Sequence, residues 1–416
     1  MQFQACSWRK LSGIRGVLLV AALLFLSTVF FTTGADAGHG YFNKPYLTYQ
    51  GDPSTTITIN YHTEEDTGEP VVTYDLAEFQ GTLRNVAKGE LRQIPGLADG
   101  RHVNTVQLTG LLPGQTYQFR IGAANDPEKV YRFRTIPDTA EPLRFAVGGD
   151  TLATGIFDRL LGHVAARSPQ FLVIGGDLAY ADGDVNMYGR WDWWFERWHD
   201  HDTTPEGLLI PLVMAIGNHE MNDKQGTPEE RAPFYFGFFP QGGKTYFSRR
   251  FGAHLGLIVL DSAYLVAHDV QAGWLEEQLK TFAPLTFRAA VYHAPLYPSH
   301  RGFEEADAMA GRTHWLPLFD RYALTVAFEH HDHDFKRSKR LRGNEVNPGG
   351  TLYLGDGNAG VLPRKPKADL WYLEKWGRES HFWIVEATAG KMHFEAVDFR
   401  GEVFDETTVE AGNVVP

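Results

Sequence analysis

The chain has 416 residues, 43% hydrophobic and 22% charged, a globular composition long enough for two or three domains. Its formal net charge of −12 excludes broad nucleic-acid binding in a groove, which needs a surplus of Lys and Arg to meet phosphates. Phosphate chemistry on so acidic a chain must import positive charge, and metal ions are the obvious source.

Residues 1–37 read as a secretory signal peptide. Arg9, Lys10 and Arg15 form a basic start, and Val17–Phe31 is an apolar run of about fifteen residues. That is shorter than the roughly 20 residues of a spanning helix. Ala35-Asp36-Ala37 is a small-x-small cleavage site. The expected product is secreted, extracellular or periplasmic, with no stable membrane insertion after cleavage. The one cysteine, Cys6, lies in this segment. Metal ligands in the remainder must therefore be His, Asp, Glu, Asn or Tyr.

Residues 40–137 show short strands and turns. Thr55–His62 alternates as a half-buried strand does, and Val71–Tyr74, Leu91–Ile94 and Val103–Leu108 are further candidates. Leu111-Leu112-Pro113-Gly114-Gln115-Thr116-Tyr117 then feeds a strand over Gln118–Ile121. A Tyr entering a strand from such a turn marks the tyrosine corner of immunoglobulin-like sandwiches. Val130–Thr135 is the last strand. The stretch resembles a fibronectin type III domain, an all-β sandwich. It carries no catalytic cluster, so a structural or docking role is expected.

Pro137–Pro142 reads as a linker. Over 143–405, apolar strands alternate with helical segments: Leu143–Val147, Phe171–Ile174, Leu212–Ile216, Leu255–Leu260, Ala289–Tyr292 and Leu324–Phe328. Continuous apolar runs of this kind are strands buried on both faces. Gly155–Ala166 and Gln271–Lys280 are predicted helices. Thr351–Leu354, His381–Ala387 and Met392–Phe399 are predicted strands. An α/β domain of two packed sheets flanked by helices is expected. Trp191, Trp194 and Trp198 share one helical face and predict core packing; His199 and His201 read as surface loop. Lys336, Arg337, Lys339, Arg340 and Arg342 read as a solvated basic strand or loop.

Five of the strands end in metal-ligand chemistry. Gly148-Gly149-Asp150 follows the first, and Gly175-Gly176-Asp177, with Tyr180, follows the second. Gly217-Asn218-His219-Glu220 follows the third. His293 follows Ala289–Tyr292, and Glu329-His330-His331-Asp332-His333 follows the last. In open α/β sheets ligands gather at the carboxyl ends of strands, so these tips converge on one expected site. Imidazole and carboxylate suit Zn, Fe and Mn, and a phenolate suits trivalent iron. Two metals sharing a carboxylate would clamp both oxygens of an in-line displacement.

These blocks resemble the calcineurin-like metallophosphoesterases, and within them the purple acid phosphatases. The matching blocks are Gly149-Asp150, Gly176-Asp177-Leu178-Ala179-Tyr180, Gly217-Asn218-His219-Glu220, His293, and His331 with His333. The resemblance implies Asp150, Tyr180 and His333 around an Fe(III), and Asn218, His293 and His331 around a divalent Fe, Zn or Mn. It implies Asp177 as the bridge and His219 beside the substrate phosphate. Two departures stand out. His330 replaces the usual Gly and is expected to face away from the site. In the loop after His293, His300 and Arg301 stand closer to that His than the family's His pair; either is a candidate phosphate contact, and His300 a candidate general acid.

The expected function is hydrolysis of small phosphate monoesters, a metal-bound hydroxide attacking phosphorus directly. A phosphodiesterase on the same scaffold, or a secreted protein that binds metal or phosphate without turnover, is the alternative.

Overall fold

The computed structural model describes residues 41–122, 129–355 and 357–412. The signal segment expected over 1–37 lies outside them. Strand alternation builds the layers. In Leu143–Gly148, Phe145 and Val147 face one apolar core while Ala146 faces another. Leu172–Ile174 divides the same way, Val173 on one side and Leu172 and Ile174 on the other. Both faces are covered, which is why these strands read as unbroken apolar runs.

Two sheets result. Leu143–Gly148, Leu172–Ile174 and Leu212–Met214 run parallel within a sheet of ten strands, with His381–Ala387, Lys391–Asp398 and Val403–Glu410 antiparallel beyond them. A second sheet of seven strands is centred on parallel Leu255–Val259, Phe287–Val291, Val326–Phe328 and Leu352–Gly355. Phe145, Val173 and Val385 of the first sheet share one core with Leu257, Val291 and Phe328 of the second. Helices cover the outer faces. Gly155–Ala165, capped by the Thr154 hydroxyl, buries Phe157, Leu160, Leu161 and Val164. Tyr188–His201 buries Trp191, Trp194 and Trp198 as expected. His199 and His201 belong to this helix rather than to a surface loop, and His199 is buried against Asp202, 2.7 Å away.

The N-terminal sandwich is also present, and the Tyr117 hydroxyl accepts from Leu112 N at 2.8 Å, closing the predicted tyrosine corner. One of its sheets continues the ten-stranded sheet. Tyr46–Thr48 pairs with Leu212–Met214 at Thr48↔Leu212, and Ile57–Thr63, His102–Leu108 and Glu90–Gln93 extend it outward. The sandwich residues Ile59, Val106, Phe119 and Phe133 join the core between the two large sheets.

A buried ion cluster adds a polar tie. The Arg101 guanidinium, fully buried, pairs with Asp99 and, at 2.7 Å, with Asp192 of the Trp-rich helix; it also donates to the Tyr41 hydroxyl. Removing one partner of such a cluster leaves a buried charge without compensation. Arg101→Ala is expected to cost about 3–5 kcal/mol, read as a lowered thermal midpoint.

His381 is enclosed by Phe335, Trp383 and Phe404, and burial pushes its pKa down to about 4. The fold therefore holds the neutral ring, while the unfolded chain takes up a proton below about pH 6.5. Stability falls as pH drops from about 6.5 to 4, by up to about 3 kcal/mol from this group. His381→Gln is expected to flatten that limb in urea titrations across the range.

Candidate metal centre

The carboxyl ends of parallel strands from both sheets meet at one place. The ten-stranded sheet delivers Asp150, Asp177, Tyr180 and the 3-10 turn Asn218–Glu220; the seven-stranded sheet delivers His293, His331 and His333. The backbone at these tips is unusual. Asp150, Asp177, Tyr180, Asp182, His331 and His333 all have left-handed φ, between 52° and 74°. Non-glycine residues adopt that conformation at a cost of about 1–3 kcal/mol each, and such strain clusters where function over-determines the backbone.

Two groups able to hold a metal ion share one residue. Asp177, His293 and His331 form the first, and Asp150, Asp177 and His333 the second; in each the ligand atoms lie within 4.8 Å of one another. Asp177 Oδ2 stands 3.1 Å from His293 Nε2, which in turn is 3.1 Å from His331 Nδ1. In the second group His333 Nε2 is 2.9 Å from Asp150 Oδ1, with the Tyr180 hydroxyl 3.2 Å from the same oxygen and 3.4 Å from His333 Nε2.

The protons show what this cluster lacks. His293 Nδ1 lies 2.9 Å from the Gly175 carbonyl, which only accepts. In the neutral ring Nε2 thus carries a lone pair and faces the Asp177 carboxylate. Asp177 Oδ2 and Asn218 Oδ1 are buried and accept no hydrogen bond. Burial opposes charging His293, yet Asp177 and Asp150 outweigh it and push its pKa up to about 9. Burial likewise opposes ionising Asp177, and the His293 and His219 imidazoles outweigh that and hold its carboxyl well below the usual range. Burial, then the charges of Asp150 and Asp177, drive the Tyr180 phenol far above its ordinary value. A buried cluster of lone pairs that draws in positive charge fits a pair of metal ions, which would reverse the last of these shifts.

Further residues hold the tips in place. Buried Glu220 accepts from Gly217 N and Asp177 N through Oε2, at 2.8 and 2.7 Å, and from Leu178 N through Oε1 at 2.8 Å. Burial and the nearby Asp177 charge push its pKa up to about 7. His219 N donates to Asp177 Oδ1 and His331 N to Asp150 Oδ2. His219 Nδ1 is 2.5 Å from Asp182 Oδ1, its Nε2 is 3.9 Å from Asp177 Oδ2, and its ring lies 4.2 Å from that of Tyr180.

His330 turns out to be buried, with its ring against the strand tips rather than among the ligands. A Cβ on Gly175 would sit 1.9 Å from that ring, and one on Gly149 2.5 Å from it. The doubled glycines therefore leave the space this His occupies. His300 and Arg301 lie outside both metal-ready groups but are tied to them. Buried Asp332 accepts from His300 N, Arg301 N and Arg301 Nη1, and Arg301 Nη1 also donates to the His331 carbonyl at 2.6 Å. His300 Nδ1 is 2.8 Å from the Lys365 carbonyl.

Sequence reasoning missed three supports. Lys336, expected in a solvated run, is buried; its ammonium pairs with buried Glu329 at 2.6 Å and donates to the Tyr297 carbonyl, pinning the loop after His293. Asp182, two residues past Tyr180, showed no signal beyond its charge. Residues 357–367 cross the tips as a strap: Ala359 N donates to Gly149 O, Gly360 N to Asp150 O, and Arg364 N to His333 O. The small residues Gly357, Ala359 and Gly360 after Leu352–Gly355 repeat the pattern of the other tips and were the available clue. A Cβ on Gly357 would stand 1.8 Å from Asp150 Oδ2.

Comparison with known proteins gives two family matches in tandem. Residues 43–135 match the purple acid phosphatase N-terminal domain, and residues 143–335 the calcineurin-like phosphoesterase domain. Purple acid phosphatase 15 of Arabidopsis thaliana is 28% identical over 295 residues, 62% of this chain and 53% of the relative. Purple acid phosphatase 13 of the same plant is 28% identical over 308 residues, 62% of this chain and 55% of the relative. The chain thus spans about half the length of these two curated relatives. Among solved structures, purple acid phosphatase PPD1 from yellow lupin (Lupinus luteus) superposes with a TM-score of 0.73 at 17% identity, over 89% of this chain and 76% of that one. PhoD superposes with a TM-score of 0.61 at 12% identity, over 88% of each chain. The tandem order of the two matched domains agrees with the layered fold and the ligand-bearing strand tips, and the chain carries a purple acid phosphatase N-terminal domain followed by a calcineurin-like phosphoesterase domain.

Proposed function

We propose that this protein is an exported metal-dependent phosphoesterase that hydrolyses small phosphate monoesters. The observation that carries the reading is Asp177, shared by two buried metal-ready groups where two sheets end. Export rests on the basic, apolar and small-residue pattern of 1–37. No helix among the described residues is long and apolar enough to cross a membrane.

Asp150, Tyr180 and His333 would hold Fe(III), Asn218, His293 and His331 a divalent Fe, Zn or Mn, and Asp177 both. The phenol of Tyr180 lies with Asp150 and His333, which supports trivalent iron on that side. When bound, the metal pair supplies Lewis acidity and an activated water. The remaining work falls to side chains. Asp182 aims His219 by its Nδ1, so that Nε2, 3.9 Å from Asp177 Oδ2, is the ring atom offered to a phosphoryl oxygen of the substrate. Arg301, pinned by Asp332 and the His331 carbonyl, offers its remaining N–H groups to the same phosphoryl group. His300 donates Nδ1–H to Lys365 O, so its Nε2 acts as general acid toward the departing alkoxide only when the ring is doubly protonated, the proton then passing from Nε2 to that oxygen.

The test is hydrolysis of an aryl phosphate monoester beside the matching diester, by protein loaded with iron plus zinc or manganese. Asp177→Asn is expected to lower monoester turnover roughly a thousandfold or more and to reduce bound metal measured by elemental analysis. Tyr180→Phe is expected to remove the visible phenolate-to-iron absorption. Faster turnover of the diester would replace the monoesterase reading with a phosphodiesterase. Two bound metals with no turnover of either ester would make it a binding protein.

A further inference from the structure

The strap 357–367 brings a second arginine to the rim of the centre. Arg364 Nη1 donates to the His331 carbonyl at 3.1 Å, the same oxygen that Arg301 Nη1 reaches at 2.6 Å. The two Nη1 atoms therefore lie within about 6 Å of each other, where like charges repel. One guanidinium is enough to satisfy a carbonyl. Asp332 offsets the charge of Arg301, and among the described residues the second guanidinium has no carboxylate partner. Asp332 is already engaged by Arg301 and by the backbone N–H groups of His300 and Arg301. Among the described residues no carboxylate pairs with Arg364 or with exposed Lys365.

More positive charge surrounds the pair. Lys367 Nζ donates to the Arg301 carbonyl at 2.8 Å, and Arg378 Nη2 to the Pro363 carbonyl at 2.9 Å. The strap itself is held: Lys367 N donates to Ser299 O and Arg364 N to His333 O, both at 2.7 Å. A chain of net charge −12 thus places Arg364, Lys365 and Lys367 on one fixed segment that is hydrogen-bonded to the carbonyls of two candidate ligands, His331 and His333. Guanidinium groups bind phosphate through paired N–H donors and cannot lose their proton. In the phosphoesterase reading, the scissile phosphate would already be met by His219, Arg301 and the metal pair that the cluster would hold.

We propose that Arg301 and Arg364 form a second anion subsite, and that the preferred substrate carries a second phosphate beside the one cleaved. This rests on the phosphoesterase reading above. The second phosphate is either joined to the first as an anhydride, as in a nucleoside diphosphate, or esterified to another carbon, as in a sugar bisphosphate. Arg364 grips it from the strap, and Arg301 spans both phosphates.

Calorimetry and kinetics on the metal-loaded protein test this together. Pyrophosphate is expected to bind at least about tenfold more tightly than inorganic phosphate, and Arg364→Gln to remove most of that difference, with Arg364→Lys restoring part. In turnover, Arg364→Gln is expected to raise KM for ADP relative to AMP, or for a sugar bisphosphate relative to its monophosphate, by about tenfold. Selective loss on ADP assigns the anhydride-linked class, and selective loss on the bisphosphate assigns the other. Equal losses on the members of both pairs, or pyrophosphate binding no tighter than phosphate, overturn the subsite. Absence of any turnover while the calorimetric difference persists overturns the esterase reading and leaves the subsite standing.

Discussion

The architecture depends on one electrostatic constraint, the confinement of Asp150 and Asp177 with three imidazoles in a buried space where lone pairs face lone pairs. The protein offers few protons to place between them. Asp177 Oδ2 and Asn218 Oδ1 have no donor. The contest between burial and charge at His293 is won by the carboxylates. A site built this way is costly to fold without positive charge and selective for it once folded.

That requirement explains the backbone around it. Five candidate ligands sit in left-handed conformations, in the turns that follow Leu143–Gly148, Leu172–Ile174 and Val326–Phe328. A chain accepts such strain only where neighbouring hydrogen bonds leave no alternative. Glu220 provides them for the Asp177 and Gly217 turns, and the Asp177 and Asp150 carboxylates accept from His219 N and His331 N. The strap 357–367 closes the ring from the other side. His330 fits the same logic from beneath, since its ring fills the volume that Gly149 and Gly175 leave.

The N-terminal sandwich contributes by making the frame larger. Its strands continue the sheet that carries Asp150, Asp177 and Asn218, and its apolar residues enter the core between the large sheets. The Arg101 cluster fastens it to the Trp-rich helix, whose Arg190 donates to the Tyr180 carbonyl at 2.6 Å. A continuous path of packing and hydrogen bonds therefore joins the sandwich to a candidate ligand.

The sequence by itself determined the layered fold class and the residues gathered at the strand tips. Unbroken apolar runs leave a strand no exposed face, and glycines before Asp150, Asp177 and Asn218 announce a sharp turn at each end. Short-range signals of this kind survive in one dimension. The pairing of Asp150 with His333 across 183 residues, and the tie from Glu220 to Asp177, came only from the tertiary structure. So did the burial of Lys336, because a lysine reads as solvent-facing until its partner Glu329 is placed beside it. Asp182 and Arg364 were illegible for the same reason: their roles are set by which carbonyl or imidazole lies opposite, and packing alone decides that.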